Sequence, residues 1–300
     1  MVAYDMAREL PRTLTTLSPG YQAVPPDLTY EVVLVDNGSP SPIADEVVAD
    51  FPGPIRSHRL SPAPPSPARA ANEGLRLATG DLVGLVIDGA RMASPGLLAQ
   101  AWRARRLADR PIITAPAWHL GSRRHGDVDD GGGDQRAEDE LLASVPWETD
   151  GYELFGISTF ANSSGRGWFG ALGESSSLFL PAALWAELGG LDESFALPGG
   201  GMVNHDLFRR ACALPDVELV VLLGEGTFHQ HHGGVATSGR LPKDEMTAEY
   251  EALRGSPYER PTNDALYFGT VPQQALPHLH TSIEMALERR ARADRKRAGR

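Results

Sequence analysis

The sequence predicts an α/β protein built on a doubly wound, mostly parallel sheet. Short apolar runs rich in β-branched residues, at 31–35 and 82–87, alternate with stretches that are apolar at helical spacing. Strands and helices follow each other in the order β-α-β-α-β-α-β within residues 1–117. The chain has 300 residues, of which 41% are hydrophobic, and this is enough to bury the core of such a sheet.

Periodicity and turn residues predict the elements of the amino-terminal part. Residues 1–5 are the end of a first strand, and leucines at 10, 14 and 17 share one face of a helix over 6–17. Prolines mark loops at 19–26 and 61–67. The remaining predicted elements here are strands at 31–35, 55–60, 82–87 and 112–117, and helices at 43–51, 68–78 and 97–107.

The second half of the sequence is less regular. Residues 123–140 contain almost no apolar side chains, which is typical of either a mobile loop over a site or a disordered insertion. A long terminal helix at 276–300 has apolar residues at Ile283 and Leu287, and we interpret its basic end as a solvated tail. Other predicted elements are strands at 176–180 and 217–223, and helices at 139–145, 181–188 and 203–213.

Composition excludes several classes of protein. The chain has 28 basic and 39 acidic residues, a net charge of −11, which disfavours nucleic-acid binding but still allows a small phosphate ligand. A single cysteine, Cys212, excludes a disulfide framework and a multi-cysteine zinc site. Neither an apolar run of the ~20 residues that span a bilayer nor a signal-peptide pattern is found, so we expect a cytoplasmic protein.

Three aspartates follow predicted strands. Asp5, Asp36 and Asp88 each stand at the carboxyl end of an apolar run. Each one alone could cap the next helix or form a turn. Because the carboxyl ends of parallel strands meet at one edge, where ligands bind in such sheets, the three together predict a binding site there.

An ordered set of short motifs resembles the family 2 glycosyltransferases. The motifs are VDNGS at 35–39, ANEG at 71–74, ATGD at 78–81, IDGA at 87–90, LGGLDESF at 188–195, Asp206-Leu207 with Arg209-Arg210, and the His-rich strand end at 227–234. Each motif alone is weak, but their order is specific, and the resemblance covers about residues 2–234.

That resemblance implies a GT-A fold and transfer of a sugar from a nucleoside diphosphate sugar to a hydroxyl group of a small-molecule or glycan acceptor. Residues 1–120 would form the nucleotide-binding half, 121–234 the acceptor half, and 235–300 a carboxyl-terminal extension. A homodimer is compatible with the sequence. Two alternatives stay open: a nucleotide-sugar-binding protein of the same fold without catalysis, and a metal-dependent hydrolase built on the His cluster.

The resemblance also implies donor-binding residues. Asp36 would bind the base or the ribose, and the backbone at Ala3 and Tyr4, next to Asp5, would pack on the base. Arg69 would pair with an acid or with a donor phosphate. Asn72 would fix the loop that joins Arg69 to the sheet, or would serve helix packing instead.

The metal site departs from the family pattern. An Asp-x-Asp motif usually holds Mn²⁺ or Mg²⁺ at this position, but this chain has Asp88-Gly89-Ala90 and so lacks the second acid. Asp88 could still contact the donor ribose or hold a metal ion through water. His229 and His232, just past a strand, could complete the set of metal ligands together with Asp88. The alternatives are that protonated imidazoles neutralise the diphosphate directly, or that these histidines have a structural role.

The catalytic base departs from the pattern as well. An inverting enzyme of this family supplies a carboxylate where this chain has Val203-Asn204, and an asparagine cannot accept a proton near neutral pH. Asp206 or His205 could replace it. Otherwise the enzyme retains the anomeric configuration, or the protein binds without catalysing. Glu174 is a further acid expected near the acceptor side.

Overall fold

A computed structural model describes residues 1–124, 135–232 and 242–298. The strands are β1 (Val2–Ala3), β2 (Val32–Asp36), β3 (Ile55–Arg59), β4 (Leu82–Val86), β5 (Arg91–Ala93), β6 (Pro111–Thr114), β7 (Ala117–Leu120), β8 (Ser158–Phe160), β9 (Ser177–Pro181), β10 (Glu218–Leu223), β11 (Thr227–His229) and β12 (Ala265–Gly269). The α-helices are α1 (Leu10–Thr16), α2 (Asp45–Ala49), α3 (Ala68–Leu77), α4 (Leu97–Ala104), α5 (Gln135–Ala143), α6 (Ala182–Leu188), α7 (Val203–Cys212), α8 (Lys243–Arg254) and α9 (Leu276–Ala298). Short 3₁₀ helices lie at Gly151–Ile157, Asn162–Ser164, Pro198–Gly200 and Gln273–Ala275.

The described strands form hydrogen-bonded sheets in the orders β1–β2–β3, β12–β10–β6–β9–β4 and β5–β11–β7–β8. The first is parallel throughout, with Val2 opposite Val35 and Ala3 opposite Asp36. In the second, β10 runs parallel to β6 and β12, whereas β9 runs antiparallel to β4 and β6. The sheet system is therefore more mixed than the sequence predicts. A second cavity, of about 730 Å³, lies between β2 and β4.

β2 is an inner strand because its residues are buried on both faces of the sheet. All five of its residues are buried, as expected for an inner parallel strand with helices packed over it. Helix α3 contacts β2, and its buried residues, Ala68, Ala70 and Ala71, are small enough to allow a close approach. The carboxyl end of β2 is thereby held beside that of β1.

The predicted strand at 112–117 is wrong in its extent. The structure ends β6 at Thr114 and begins β7 at Ala117, and the two strands belong to different sheets. Pro116 lies between them, and because proline has no backbone N–H it cannot continue a ladder. Elements that we did not predict are β5, β7, β8, β12 and α8. Most of the polar segment 123–140 lies outside the described residues, and its end forms the first part of α5.

Aromatic side chains hold β7, β8 and α9 together. The Trp118 ring stacks on Phe160 with 3.9 Å between centroids, and it meets Trp168 edge-on at 5.6 Å. His278 of α9 packs against the same indole at 4.6 Å. Edge-on and offset contacts of this kind add to the free energy of burying the rings.

The carboxyl-terminal part, from residue 242 onward, packs into the rest of the fold. β12 pairs in parallel with β10, with Ala265 opposite Leu219. Tyr250 of α8 is fully buried, and Arg254 at the end of α8 forms ion pairs with Asp192 and Asp206. Within the described ranges, no helix combines the length and the apolar character that crossing a membrane requires.

A buried glutamate in the turn after β10 forms hydrogen bonds with two residues distant in the sequence. Glu225 accepts hydrogen bonds from Ser94 Oγ at 2.5 Å and from Tyr152 Oη at 3.0 Å. Burial raises the pKa of Glu225 to about 7, which these hydrogen bonds partly oppose. Since this pKa lies above the ordinary value for glutamate, the folded protein favours the protonated carboxyl group.

We expect the pH dependence of stability to report this group. Its stabilising contribution is fully present below about pH 4.5 and is lost as the pH rises to about 7, by at most about 3 kcal/mol. In Glu225→Gln the side chain stays neutral, so the free energy of unfolding of the variant minus that of the wild type should increase between pH 4.5 and 7. Urea unfolding across this range measures it. Glu218→Gln, at an exposed position, is the matched control, and a pH-independent difference for Glu225→Gln would contradict the prediction.

Candidate functional site

A cavity of about 970 Å³ opens where the carboxyl ends of β1, β2 and β4 meet. Its wall includes residues from both halves of the chain and from α8. The lining residues include Tyr4, Asp5, Asn37, Gly38, Asp88, Arg91, His119, Glu174, Met202, Val203, Asn204, His205, His229, His232 and Met246.

Asp88, His229 and His232 converge on one point in this cavity. Asp88 Oδ2 lies 2.9 Å from His229 Nε2 and 3.2 Å from His232 Nε2, and the two nitrogens are 3.0 Å apart. Ligand atoms that lie about 2.1 Å from one ion at right angles are about 3.0 Å apart. One carboxylate and two imidazoles are also a mixed oxygen and nitrogen ligand set of the kind that binds divalent transition metals. These three residues therefore fit a divalent metal ion.

The charges of the three groups are strongly coupled. Burial alone would raise the pKa of Asp88, but the imidazoles of His232 and His229 outweigh it and hold that pKa well below its ordinary value. Burial and the nearby Arg91 lower the pKa of His229 to about 3. Burial opposes protonation of His232 too, but Asp88 raises its pKa above the ordinary value. The pKa shifts of Asp88 and His229 thus favour the anion and the neutral imidazole that metal binding requires, whereas a metal ion would have to displace the proton that the raised pKa of His232 favours.

Sheet register brings two further groups to the cavity. His229 of β11 stands opposite Arg91 of β5 on one side and His119 of β7 on the other. Arg91 is buried, and among the described residues its Nε and Nη1 atoms meet no hydrogen-bond acceptor. Such a cation fits an anionic ligand. Sequence analysis missed both residues, although Arg91 follows Asp88 by only three positions.

Besides Asp88, two of the predicted donor-binding residues line the cavity. Tyr4 is 52% exposed, although it directly follows the buried β1. Asp5 has a φ of +53°, and its backbone N–H donates to Ser39 Oγ at 3.0 Å. This contact joins the end of β1 to the turn after β2.

Asp36 lies behind the cavity wall. It is buried, and its Oδ1 atom accepts hydrogen bonds from the backbone N–H of Ser39 at 2.8 Å and from Ser39 Oγ at 2.6 Å. Asn37 and Gly38 of this turn line the cavity, whereas Asp36 does not. Its carboxylate therefore shapes the turn that faces a ligand.

Three other predicted residues lie outside the cavity lining. Ala3 is buried in the core, and Arg69 is exposed on α3. Asn72 donates to the carbonyl oxygen of Leu191 and accepts from its N–H, at 2.9 and 2.8 Å. Asn72 thus fixes the turn after α6, which is close to the packing role that we gave as its alternative.

The predicted catalytic residues separate into two groups. Asn204 and His205 line the cavity, together with Glu174. Asp206 is fully buried, where its Oδ2 atom accepts from Arg210 Nε at 2.7 Å and from Arg254 Nη2 at 2.8 Å, and its Oδ1 atom accepts from Arg254 Nε. One residue after His205 on α7, Asp206 points into the protein and holds α8 in place.

Comparison with known proteins identifies the fold. No protein-family model and no curated protein matches the chain. Among solved structures, a mannosyltransferase from Pyrobaculum calidifontis in complex with GDP-Man and Mn²⁺ is similar with a TM-score of 0.52 at 15% identity, over 95% of this chain and 68% of that one. S. aureus TarS gives 0.51 at 12% identity, over 76% of this chain and 36% of that one, and TarS 1–349 in complex with UDP-GlcNAc gives 0.51 at 12%, over 83% and 65%. The chain thus spans about a third of the length of the longer TarS structure. The predicted GT-A fold is confirmed.

Removing one of the two histidine side chains that would bind the metal should greatly weaken metal binding. We expect His229→Ala and His232→Ala each to weaken Mn²⁺ binding by at least about tenfold, the effect that even the loss of an outer-shell partner can have. Titration calorimetry measures the affinity, with the exposed His58→Ala as the matched control. Equal Mn²⁺ affinity in all four proteins would place the metal elsewhere.

Proposed function

We propose that the protein is a glycosyltransferase that moves a sugar from a nucleoside diphosphate sugar to a hydroxyl group of a small-molecule or glycan acceptor. The observation that supports this most is the convergence of Asp88, His229 and His232 beside the buried Arg91, in a cavity at the carboxyl edge of a GT-A sheet. Such a cavity holds ligands in open α/β sheets.

The diphosphate of the donor belongs at this cluster. Asp88, His229 and His232 would hold Mn²⁺ or Mg²⁺. A bound ion neutralises phosphate oxygens and supports the leaving diphosphate. Arg91 adds a fixed positive charge on the same wall, and its guanidinium can donate two parallel hydrogen bonds to a phosphate. Arg91 thus contributes positive charge for the diphosphate, at a site where the second acid of the family's Asp-x-Asp metal motif is absent.

The nucleoside belongs at the ends of β1 and β2. Tyr4 offers an exposed ring on which a base can stack, and Asn37 with Gly38 offers polar backbone and an amide beside it. In this proposal Asp36 acts indirectly, through the turn that it holds by its bonds to Ser39.

The sugar and the acceptor belong on the side formed by α7 and α8. Met202 and Val203 at the start of α7, and Met246 of α8, give this part of the wall an apolar surface next to the polar Glu174, Asn204 and His205. Two nucleotide sugars, GDP-Man and UDP-GlcNAc, occur in structures of similar fold, which supports this class of donor.

A nucleotide-sugar-binding protein without catalysis is the second candidate. Two observations favour it: Ala90 stands where the family pattern has a second acid, and Asn204 stands where it has the base. Incubation with UDP- and GDP-sugars, with and without Mn²⁺, distinguishes the two by measuring the free nucleoside diphosphate. A glycosyltransferase releases it slowly with water as acceptor, and a binding protein binds a donor but releases nothing. Neither binding nor release would contradict both candidates.

Arg91 gives a second test of donor placement. Arg91→Gln should weaken UDP or GDP binding by roughly 1.5–3 kcal/mol, the magnitude of a hydrogen bond to a charged group. Calorimetry of the nucleoside diphosphate in the presence of Mn²⁺ measures it. Arg103→Gln, an exposed position on α4, is the control. If both variants bind with the wild-type affinity, the diphosphate does not contact Arg91.

A further inference from the structure

The wall of the cavity on the α7 side carries a second polar cluster, formed by Glu174, Asn204 and His205. Glu174 Oε2 accepts a hydrogen bond from Asn204 Nδ2 at 3.0 Å, and His205 Nδ1 lies 3.4 Å from the same oxygen. Asn204 Nδ2 also donates to the carbonyl oxygen of Ser175 at 2.8 Å. Asn204 is thus hydrogen-bonded to the carboxylate, whereas His205 Nδ1 lies beside it and meets no hydrogen-bond partner among the described residues.

These contacts explain why residue 204 is an amide. Its nitrogen meets two acceptors, Glu174 Oε2 and the carbonyl oxygen of Ser175, and only a donor is favourable there. An aspartate at this position would set a second carboxylate against Glu174. The residue that stands at the family's base position therefore positions Glu174.

Charged neighbours keep Glu174 ionised. Burial would raise its pKa, but His205, Arg91, and hydrogen bonds from Asn204 and Ser163 outweigh burial and lower it. Tyr258 and Arg260 also face this cluster, and the Tyr258 ring meets the His205 ring edge-on at 5.2 Å. An ionised carboxylate beside Nδ1 favours the tautomer in which Nδ1 carries the proton.

From this geometry we infer that His205 is the general base of the proposed transfer and that Glu174 is its positioning residue. With the proton on Nδ1, on the side of Glu174, the lone pair of Nε2 accepts the proton of the acceptor hydroxyl. The acceptor oxygen forms a bond to the anomeric carbon as the bond from that carbon to the diphosphate breaks, and the electron pair leaves with the nucleoside diphosphate. The anomeric configuration is inverted. This inference rests on the proposed function.

The experiment measures release of nucleoside diphosphate from a UDP- or GDP-sugar by water, together with donor affinity. His205→Gln should lower the rate by about 10²- to 10⁴-fold, the contribution of general base catalysis, and leave the affinity for UDP or GDP unchanged. His58→Gln, exposed on β3, is the matched control and should keep both values. Added imidazole should partly restore the rate of His205→Ala, an effect that a purely structural role would not produce.

Glu174→Gln tests the positioning role. The rate should fall, but less than in His205→Gln, because a neutral amide no longer favours the proton on Nδ1. The affinity for UDP or GDP should stay unchanged, and Glu174→Asp, which keeps a carboxylate, should recover part of the rate. A wild-type rate in Glu174→Gln would remove Glu174 from the mechanism.

Asn204→Asp separates this inference from a restored family base. If residue 204 were a vacated base position, the aspartate would raise the rate, whereas here it should lower the rate by repelling Glu174. A wild-type protein that releases nucleoside diphosphate while His205→Gln releases it equally fast overturns the inference and leaves the proposed function intact. A wild-type protein that neither binds nor turns over any donor overturns both.

Discussion

A partly buried carboxylate between two imidazoles is the interaction on which the site depends. Asp88 lies two residues after the end of β4, at the cavity, and an ionised carboxylate is costly there unless positive or donating groups surround it. The pairing of β11 with β5 and β7 meets this constraint by placing His229 against Asp88, with Arg91 and His119 on either side of His229. His232 reaches the same oxygen from beyond the strand end. The cluster is thus assembled by strand pairing between distant parts of the chain.

The other wall of the cavity depends on a separate ion-pair cluster. Asp206 has its two oxygens held by Arg210 and Arg254, and Arg254 also contacts Asp192. These contacts connect α8 to α7 and to the turn after α6. As a result α8, which lies outside the sequence motifs, forms part of the cavity wall. Because removing one member of a buried ion pair leaves an uncompensated charge, Asp206 is important for structure. The preceding residue, His205, lines the cavity.

The sequence was sufficient for the fold class and for placing Asp5 and Asp88 at the same edge, since both follow from local pattern and strand order. The grouping of Asp88 with His229 and His232 came from the family resemblance. The sequence was insufficient for Arg91, because only sheet register shows that it stands opposite His229. Periodicity alone could not separate His205 from Asp206, which are consecutive and point in different directions. A direct contact between Asp36 and the ligand is predicted because Asp36 stands at the end of a strand and so at an edge of the sheet. In the structure the next two residues, Asn37 and Gly38, line the cavity instead.

In the proposed site a donor diphosphate and a divalent ion meet at Asp88. Crystals grown with MnCl₂ and UDP, measured near the manganese absorption edge, test this directly. We expect an anomalous peak bounded by Asp88 Oδ2, His229 Nε2 and His232 Nε2, with the UDP phosphates beside it and within reach of Arg91. UDP bound elsewhere, or phosphates in the cavity with manganese at a different set of residues, would contradict it.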